Sequence, residues 1–199
     1  MGSINNKLRC KWQDYSGQNA SIAEHSFYDV FSKLFNDTDY TIISQPTFFS
    51  SIYLDVELSE EEIHAIYTPD VPIQRHGIKP DGAIKNNKTG KTIFIEIKRQ
   101  DGWVEGKPRK AGRGNAHERL CKYFTPGLLK KLREFGKIEH PNIPFWIVFQ
   151  GDITRDPCRV REITFWFDKY KANYFFWRNP NDPLPLIDHF EKYIVPLLE

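Results

Sequence analysis

From Thr92 the chain reads TIFIEIKR, and polar and apolar side chains alternate with a period of two. That spacing predicts a strand with Thr92, Phe94, Glu96 and Lys98 on one face and Ile93, Ile95 and Ile97 on the other. Asp81–Lys85 forms its partner across Asn-Asn-Lys-Thr-Gly, a loop made of turn residues, so residues 81–98 read as a β-hairpin. Phe145–Gln150 (FWIVFQ) is nearly all apolar at strand length, as expected of a strand buried on both faces. Tyr40–Ser44 and Tyr174–Trp177 are shorter strand candidates.

Helical spacing marks the rest. Ser21-Ile-Ala-Glu24 reads as a capping box, with Ala23, Phe27, Val30, Phe31 and Leu34 following on one face. A second box at Ser59–Glu62 starts a short helix through Tyr67. Thr125-Pro126 caps and starts a helix with Leu128, Leu129 and Leu132 on one side and Gly136 at its end. Asp156-Pro157 opens another that runs to about Asp168, and Leu186–Leu198 closes the chain. Residues 99–114 are loop, rich in Gly, Lys and Arg. With no repeat, low-complexity tract or Gly/Ser linker, residues 1–199 read as one α/β domain: a mixed β-sheet flanked by helices.

Composition narrows the function classes. A chain of 199 residues with 40% apolar and 27% charged residues is ordinary globular material. No apolar run approaches the length of a membrane span, and the N-terminus lacks the apolar core of a signal peptide. The chain opens Met-Gly, but Asn6 stands where a myristoylation signal wants Ser or Thr. Cys10, Cys121 and Cys158 are widely spaced without a CxxC pair, which fits reduced thiols in a soluble, cytoplasmic protein. Formal net charge is only +2, so an anionic partner has to be met by a local patch.

No GxSxG nucleophile motif occurs, and the six histidines are scattered without ligand spacing. Carboxylates are more informative. Pro-Asp occurs at Pro69-Asp70 and Pro80-Asp81, and Glu-x-Lys at Glu96-Ile-Lys98 and Glu105-Gly-Lys107. Glu105 and Lys107 lie in loop sequence that fixes no geometry, and Asp70 precedes the hairpin. Glu96 and Lys98, by contrast, point the same way about one pleat apart, and hairpin pairing can bring Asp81 beside Glu96. Two carboxylates at one point repel each other unless a cation lies between them. All-oxygen ligands with room for water and phosphate suit Mg²⁺, and a neighbouring lysine can orient or deprotonate a water and offset charge on a phosphate. The bland alternative is a surface hairpin with a cross-strand ion pair.

The next segment weighs against that alternative. Lys98 to Lys122 holds eight Lys/Arg against three acids, while the remainder of the chain is net negative. Within it, residues 111–120 read AGRGNAHERL. Arg can take both guanine acceptors in the major groove, and Asn pairs in two places with adenine. Gly112, Gly114 and Ala116 let the backbone approach base edges. A flexible basic surface loop is the bland reading of such composition, but it leaves unexplained why both base-reading side chains sit among small residues. A basic patch beside phosphate-cutting residues reads as a nucleic-acid footprint.

Pro80-Asp81…Glu96-Ile-Lys98 resembles the PD…(D/E)xK signature of metal-dependent nucleases. Gly114-Asn-Ala-His-Glu-Arg119 resembles the base-reading segment of the EcoRI group of Type II restriction endonucleases, which reads GNAIER in EcoRI itself. Longer stretches, IKRQDGWVEGK (97–107), FTPGLLK (124–130) and GDITRDP with VREITFW (151–166), are similar to one branch of that group. The resemblance implies a restriction-endonuclease-like fold and a homodimer that cuts double-stranded DNA at a palindrome with Mg²⁺. It further implies a bacterial host in which a cognate DNA methyltransferase protects the same site. By motif position, Asp81, Glu96 and the Ile97 carbonyl would hold the metal, and Lys98 would serve the attacking water. Asn115, Ala116 and Arg119, with Gly114, would read inner A·T pairs, Arg113 the outer guanine, and Glu118 would hold arginines in place. His117 departs from EcoRI's isoleucine. Arg113-Gly114 stands where EcoRI has Ala-Gly, and this departure points to CAATTG among sites with an AATT centre. Two rivals share these residues: a repair or junction nuclease, and a DNA-binding module that does not cut.

Overall fold

The computed structural model describes residues 21–66, 77–102, 104–108 and 117–199. Among them, five strands form one sheet in chain order: β1 (Tyr40–Ser44), β2 (Gly82–Asn86), β3 (Thr92–Arg99), β4 (Phe145–Gln150) and β5 (Tyr174–Trp177). β1–β2 and β2–β3 are antiparallel pairs, and β3–β4 and β4–β5 are parallel pairs. The sheet is therefore mixed, as the sequence pattern predicts.

The β2–β3 turn is held by its own side chains. The Asn86 carboxamide accepts the N–H groups of Lys88 and Thr89, and Gly90 takes the positive φ of 71° that closes the turn. Asn86 Nδ2 and Thr89 Oγ1 both donate to the Leu198 carbonyl, which ties the hairpin tip to the C-terminal helix.

Period-two alternation then sorts β3 between two layers. Ile93, Ile95 and Ile97 pack with Ala23, Phe27 and Phe31 of α1 (helical over residues 21–34) and with the closing helix α5 (184–198). Phe94 lies on the opposite face with Leu128 and Leu132 of α3 (Pro126–Gly136), Ile163 and Phe167 of α4 (Pro157–Phe167), and Leu120 and Tyr123 of a 3₁₀ turn, Glu118–Phe124. Both faces are covered, so β4 is buried at every position.

Helix ends differ from expectation where tertiary contacts compete with local signals. Ser21 is already helical and its hydroxyl meets His25 Nδ1, so it is not the cap; the start of α1 lies outside the described residues. The Ser59 box forms as predicted, but its helix, Glu60–Ala65, stops short of Tyr67. The Thr125 hydroxyl donates to the Lys122 carbonyl and caps nothing. Helix α3 ends at Gly136 as predicted, but the left-handed residue is Lys137, with φ 52°. Gly136 itself serves close packing, because a Cβ there would lie 2.5 Å from the Thr92 carbonyl oxygen. Helix α5 starts two residues earlier than its apolar spacing suggests and widens into a π segment, Phe190–Ile194, just before Pro196. A proline has no N–H to give the preceding turn, and a widened turn accommodates that.

Candidate active site

The pairing Gly82↔Ile95 sets Asp81 opposite Glu96, one step before β2 begins. Asp81 Oδ2 accepts the Ile97 N–H at 2.7 Å, so the carboxylate takes the backbone partner that a longer β2 would have supplied. Lys98 Nζ lies 2.7 Å from Glu96 Oε1 and 3.7 Å from Asp81 Oδ2. The structure thus brings Asp81, Glu96 and Lys98 together. The other pairs do not join them: Glu105 and Lys107 are exposed in a turn, and Pro69-Asp70 lies outside the described residues.

Two tyrosines brace the two acidic residues, one at a side chain and one at the backbone. Tyr123, buried under the 3₁₀ turn, donates its hydroxyl to Glu96 Oε2 at 2.6 Å. Tyr28 of α1 donates to the Asp81 carbonyl at 2.6 Å. Gly82 makes room for that contact, since a Cβ would collide with the Tyr28 hydroxyl. Neither tyrosine is marked by the strand pattern. Tyr123 has a local signal all the same: with Leu120 it makes the i, i+3 buried pair of a 3₁₀ turn.

Charge at this corner is unbalanced. Burial, then the Glu96 carboxylate, pushes the Asp81 carboxyl up to about 6, against the pull of Lys98 and the Ile97 N–H. Burial works against the Lys98 ammonium, but Glu96 and Asp81 together outweigh it and raise its pKa. Burial and the Glu96 carboxylate raise Tyr123 as well, keeping its hydroxyl a donor. Glu24 of α1 adds a further negative field at Asp81.

A divalent cation fits this shortage of positive charge. Within a strand the N–H and C=O of one residue point to the same edge, so the Ile97 carbonyl faces the Asp81 side along with its N–H. The candidate donors are then two carboxylates and one carbonyl, a hard all-oxygen set. Among the described residues no group of three His, Cys, Asp or Glu side chains converges, so water and substrate oxygens have to complete the shell. That is the habit of Mg²⁺ more than of Zn²⁺.

The base-reading segment is only partly described. Arg113, Gly114, Asn115 and Ala116 lie outside the described residues; His117, Glu118 and Arg119 lie within them. Glu118 and Arg119 are exposed on the 3₁₀ turn, whereas His117 is fully buried. Its ring stacks on Trp166 of α4, with centroids 5.3 Å apart and planes at 13°. Its Nε2 lies 2.9 Å from both Arg159 Nη1 and Glu162 Oε2. Sequence spacing gave no hint of this contact, whose partners are 42 and 45 residues away.

Two carboxylates and a lysine where a hairpin meets a mixed sheet, followed in sequence by a basic segment with arginine and asparagine among glycines, fit a nuclease that works on DNA. The family model described as Type II restriction enzyme MunI matches residues 1–199, and the chain belongs to that family. Type II restriction enzyme MunI from a Mycoplasma species is 48% identical over 202 residues, covering 100% of both chains. A crystal structure of MunI restriction endonuclease in complex with cognate DNA matches with a TM-score of 0.81 at 48% identity, covering 94% of this chain and 97% of that one. The protein is a site-specific deoxyribonuclease.

Proposed function

We propose that this protein is a Mg²⁺-dependent homodimer, one domain per chain over residues 1–199, that cuts both DNA strands at CAATTG. The observation that carries the catalytic part is the convergence of Asp81, Glu96 and Lys98 at the strand junction. Asp81, Glu96 and the Ile97 carbonyl hold the cation. When bound, it lowers the pKa of a water and offsets charge building on the phosphate. Lys98, kept an ammonium by its two carboxylate neighbours, donates a hydrogen bond that orients the attacking water and steadies the phosphate oxygens. Tyr123 fixes the Glu96 carboxylate so that its other oxygen is free to face the cation and Lys98. A water oxygen bonds to phosphorus as the P–O3′ bond breaks; the water gives up a proton to solvent and O3′ takes one from solvent, leaving 3′-hydroxyl and 5′-phosphate ends.

Reading falls to the segment from Arg113 to Arg119. Arg113 takes N7 and O6 of the outer guanine, Gly114 lets the backbone approach, and Asn115, Ala116 and Arg119 read the inner A·T pairs. Glu118 holds the arginines in place. A palindrome presents the same base edges twice, so two identical chains read it with one set of residues. The MunI–cognate DNA structure, at 48% identity, supports this reading of the segment. In a bacterial cytoplasm such an enzyme works alongside a methyltransferase of the same specificity.

The test is digestion of a long DNA of known sequence with Mg²⁺ and mapping of the ends, with Asp81→Ala as control. Ends confined to CAATTG, absent with Asp81→Ala, bear the proposal out. Ends gathered at branched or mismatched DNA would make it a repair nuclease, and binding without cutting would make it a DNA-binding module.

A further inference from the structure

His117 lies between residues proposed to read bases on either side, yet its own side chain points away from solvent. Glu118 and Arg119 are exposed and Leu120 is buried again, so the chain is pinned at 117 and 120 with Glu118 and Arg119 projecting between the pins. What receives His117 is a prepared seat on α4. Trp166 supplies a flat face parallel to the imidazole. Arg159 Nη1 donates to Glu162 Oε2 at 2.6 Å and also reaches His117 Nε2 at 2.9 Å.

Nε2 lies 2.9 Å from a guanidinium that can only donate and from a carboxylate that accepts, so either tautomer of a neutral ring keeps one hydrogen bond to the pair. Burial, then the Arg159 charge, lowers the His117 pKa, which agrees with a neutral ring. With the ring neutral, the 2.9 Å approach of Glu162 is a contact within hydrogen-bond reach and not an ion pair, and Arg159 reaches both groups. Arg159 and Glu162 are spaced i, i+3 on a helix whose Ile163 and Phe167 are core, so the seat is as fixed as the sheet beneath it.

We propose that His117 is a positioning residue for sequence discrimination: docked on Trp166 and the Arg159–Glu162 pair of α4, it sets where the flanking base readers stand without itself touching DNA. The inference rests on the base-reading role given above to residues 113–119. An apolar side chain of similar bulk fills the space but loses the polar register, so the segment can slide or rotate while remaining packed.

The experiment compares the parent with His117→Leu and with Arg159→Met, which alters the seat without touching the segment. Each is assayed for Mg²⁺-dependent cleavage of CAATTG and of duplexes changed at one base pair, and for its melting temperature. Both variants should keep measurable cutting of CAATTG while its advantage over the altered sites falls by about tenfold or more, the scale of one mis-set base contact. A lowered melting temperature with unchanged discrimination in both variants would overturn the inference, reducing His117 to a core residue. Should His117→Leu fail to fold, Arg159→Met decides by the same ratio. A parent that cuts all these duplexes equally would overturn the base-reading proposal, which is a different failure from unchanged ratios in selective variants.

Discussion

The corner at Asp81 and the seat of His117 are held in place by different means. At the corner, position comes from strand register: Gly82↔Ile95 sets the two carboxylates opposite each other, and Glu96 and Lys98 share a face because the pleat has a period of two. At the seat, position comes from one imidazole lodged against side chains of a helix more than 40 residues further along. A ladder of backbone hydrogen bonds tolerates most local substitutions, whereas a single docked side chain tolerates few. On the proposed assignment, chemistry therefore rests on paired strands, and specificity on a segment pinned at His117 and Leu120. Altering the corner should change rate and leave choice of site; altering the segment should do the reverse.

The largest separation comes from Lys98→Ala. Losing one preorganised donor to developing charge costs about 10²–10³-fold, so single-turnover cleavage should slow by that order while binding of CAATTG with Ca²⁺ in place of Mg²⁺ persists. Normal cutting with lost binding would turn Lys98 into a phosphate anchor and erase the contrast. Arg113→Ala probes the other side. Each two-point contact is worth about 1–3 kcal/mol of discrimination, and a dimer makes it twice. CAATTG should lose affinity selectively against GAATTC and random DNA at two salt concentrations. Uniform weakening, with a flatter salt dependence, would make Arg113 a backbone contact.

The same contrast explains what the sequence makes legible. Asp81, Glu96 and Lys98 can be brought together on paper because hairpin pairing and alternation are local rules, and β1, β4 and β5 follow their apolar runs to the residue. Tyr123 and Tyr28 escape such rules, since a turn and a helix deliver them across the sheet edge. Local signals also mislead where packing has a stronger claim. Gly136 ends its helix where the pattern puts it, but its missing Cβ serves Thr92, and Lys137 takes the left-handed position that a glycine signals. His117 reads as one of six scattered histidines, because nothing in HER announces Trp166.

Tyr123→Phe tests whether the corner depends on the 3₁₀ turn. The variant loses one donor to Glu96 and little volume. Groups that orient a metal ligand are typically worth 10–100-fold in metal affinity. The Mg²⁺ concentration for half-maximal cutting should rise by about tenfold, while the rate at saturating Mg²⁺ and the preference for CAATTG stay near those of the parent. An unchanged Mg²⁺ requirement would leave Tyr123 a packing residue. A changed site preference would mean that the turn couples the two regions, and the separation drawn above would fail.

The smallest effect is a stability difference set by pH. In the folded, metal-free protein Asp81 holds its proton up to about pH 6, mainly through burial and secondarily through Glu96. Unfolded, it releases that proton in the ordinary aspartate range, near 4. Between those values the folded state binds more protons, so this group's contribution makes stability fall as pH rises, and above about 6 the whole cost is present. Asp81→Asn removes the charge but keeps an oxygen to accept the Ile97 N–H. In EDTA at about pH 8 it should melt a few degrees above the parent, and the gap should narrow below about pH 6 and close toward about pH 4. Mg²⁺ should raise the parent's melting temperature and leave the variant's nearly unchanged, because the cation needs the carboxylate that the variant lacks. A gap that ignores pH, or a variant that melts below the parent throughout, would mean that Lys98 already neutralises the corner. The shortage of positive charge that makes room for a cation there would then not exist.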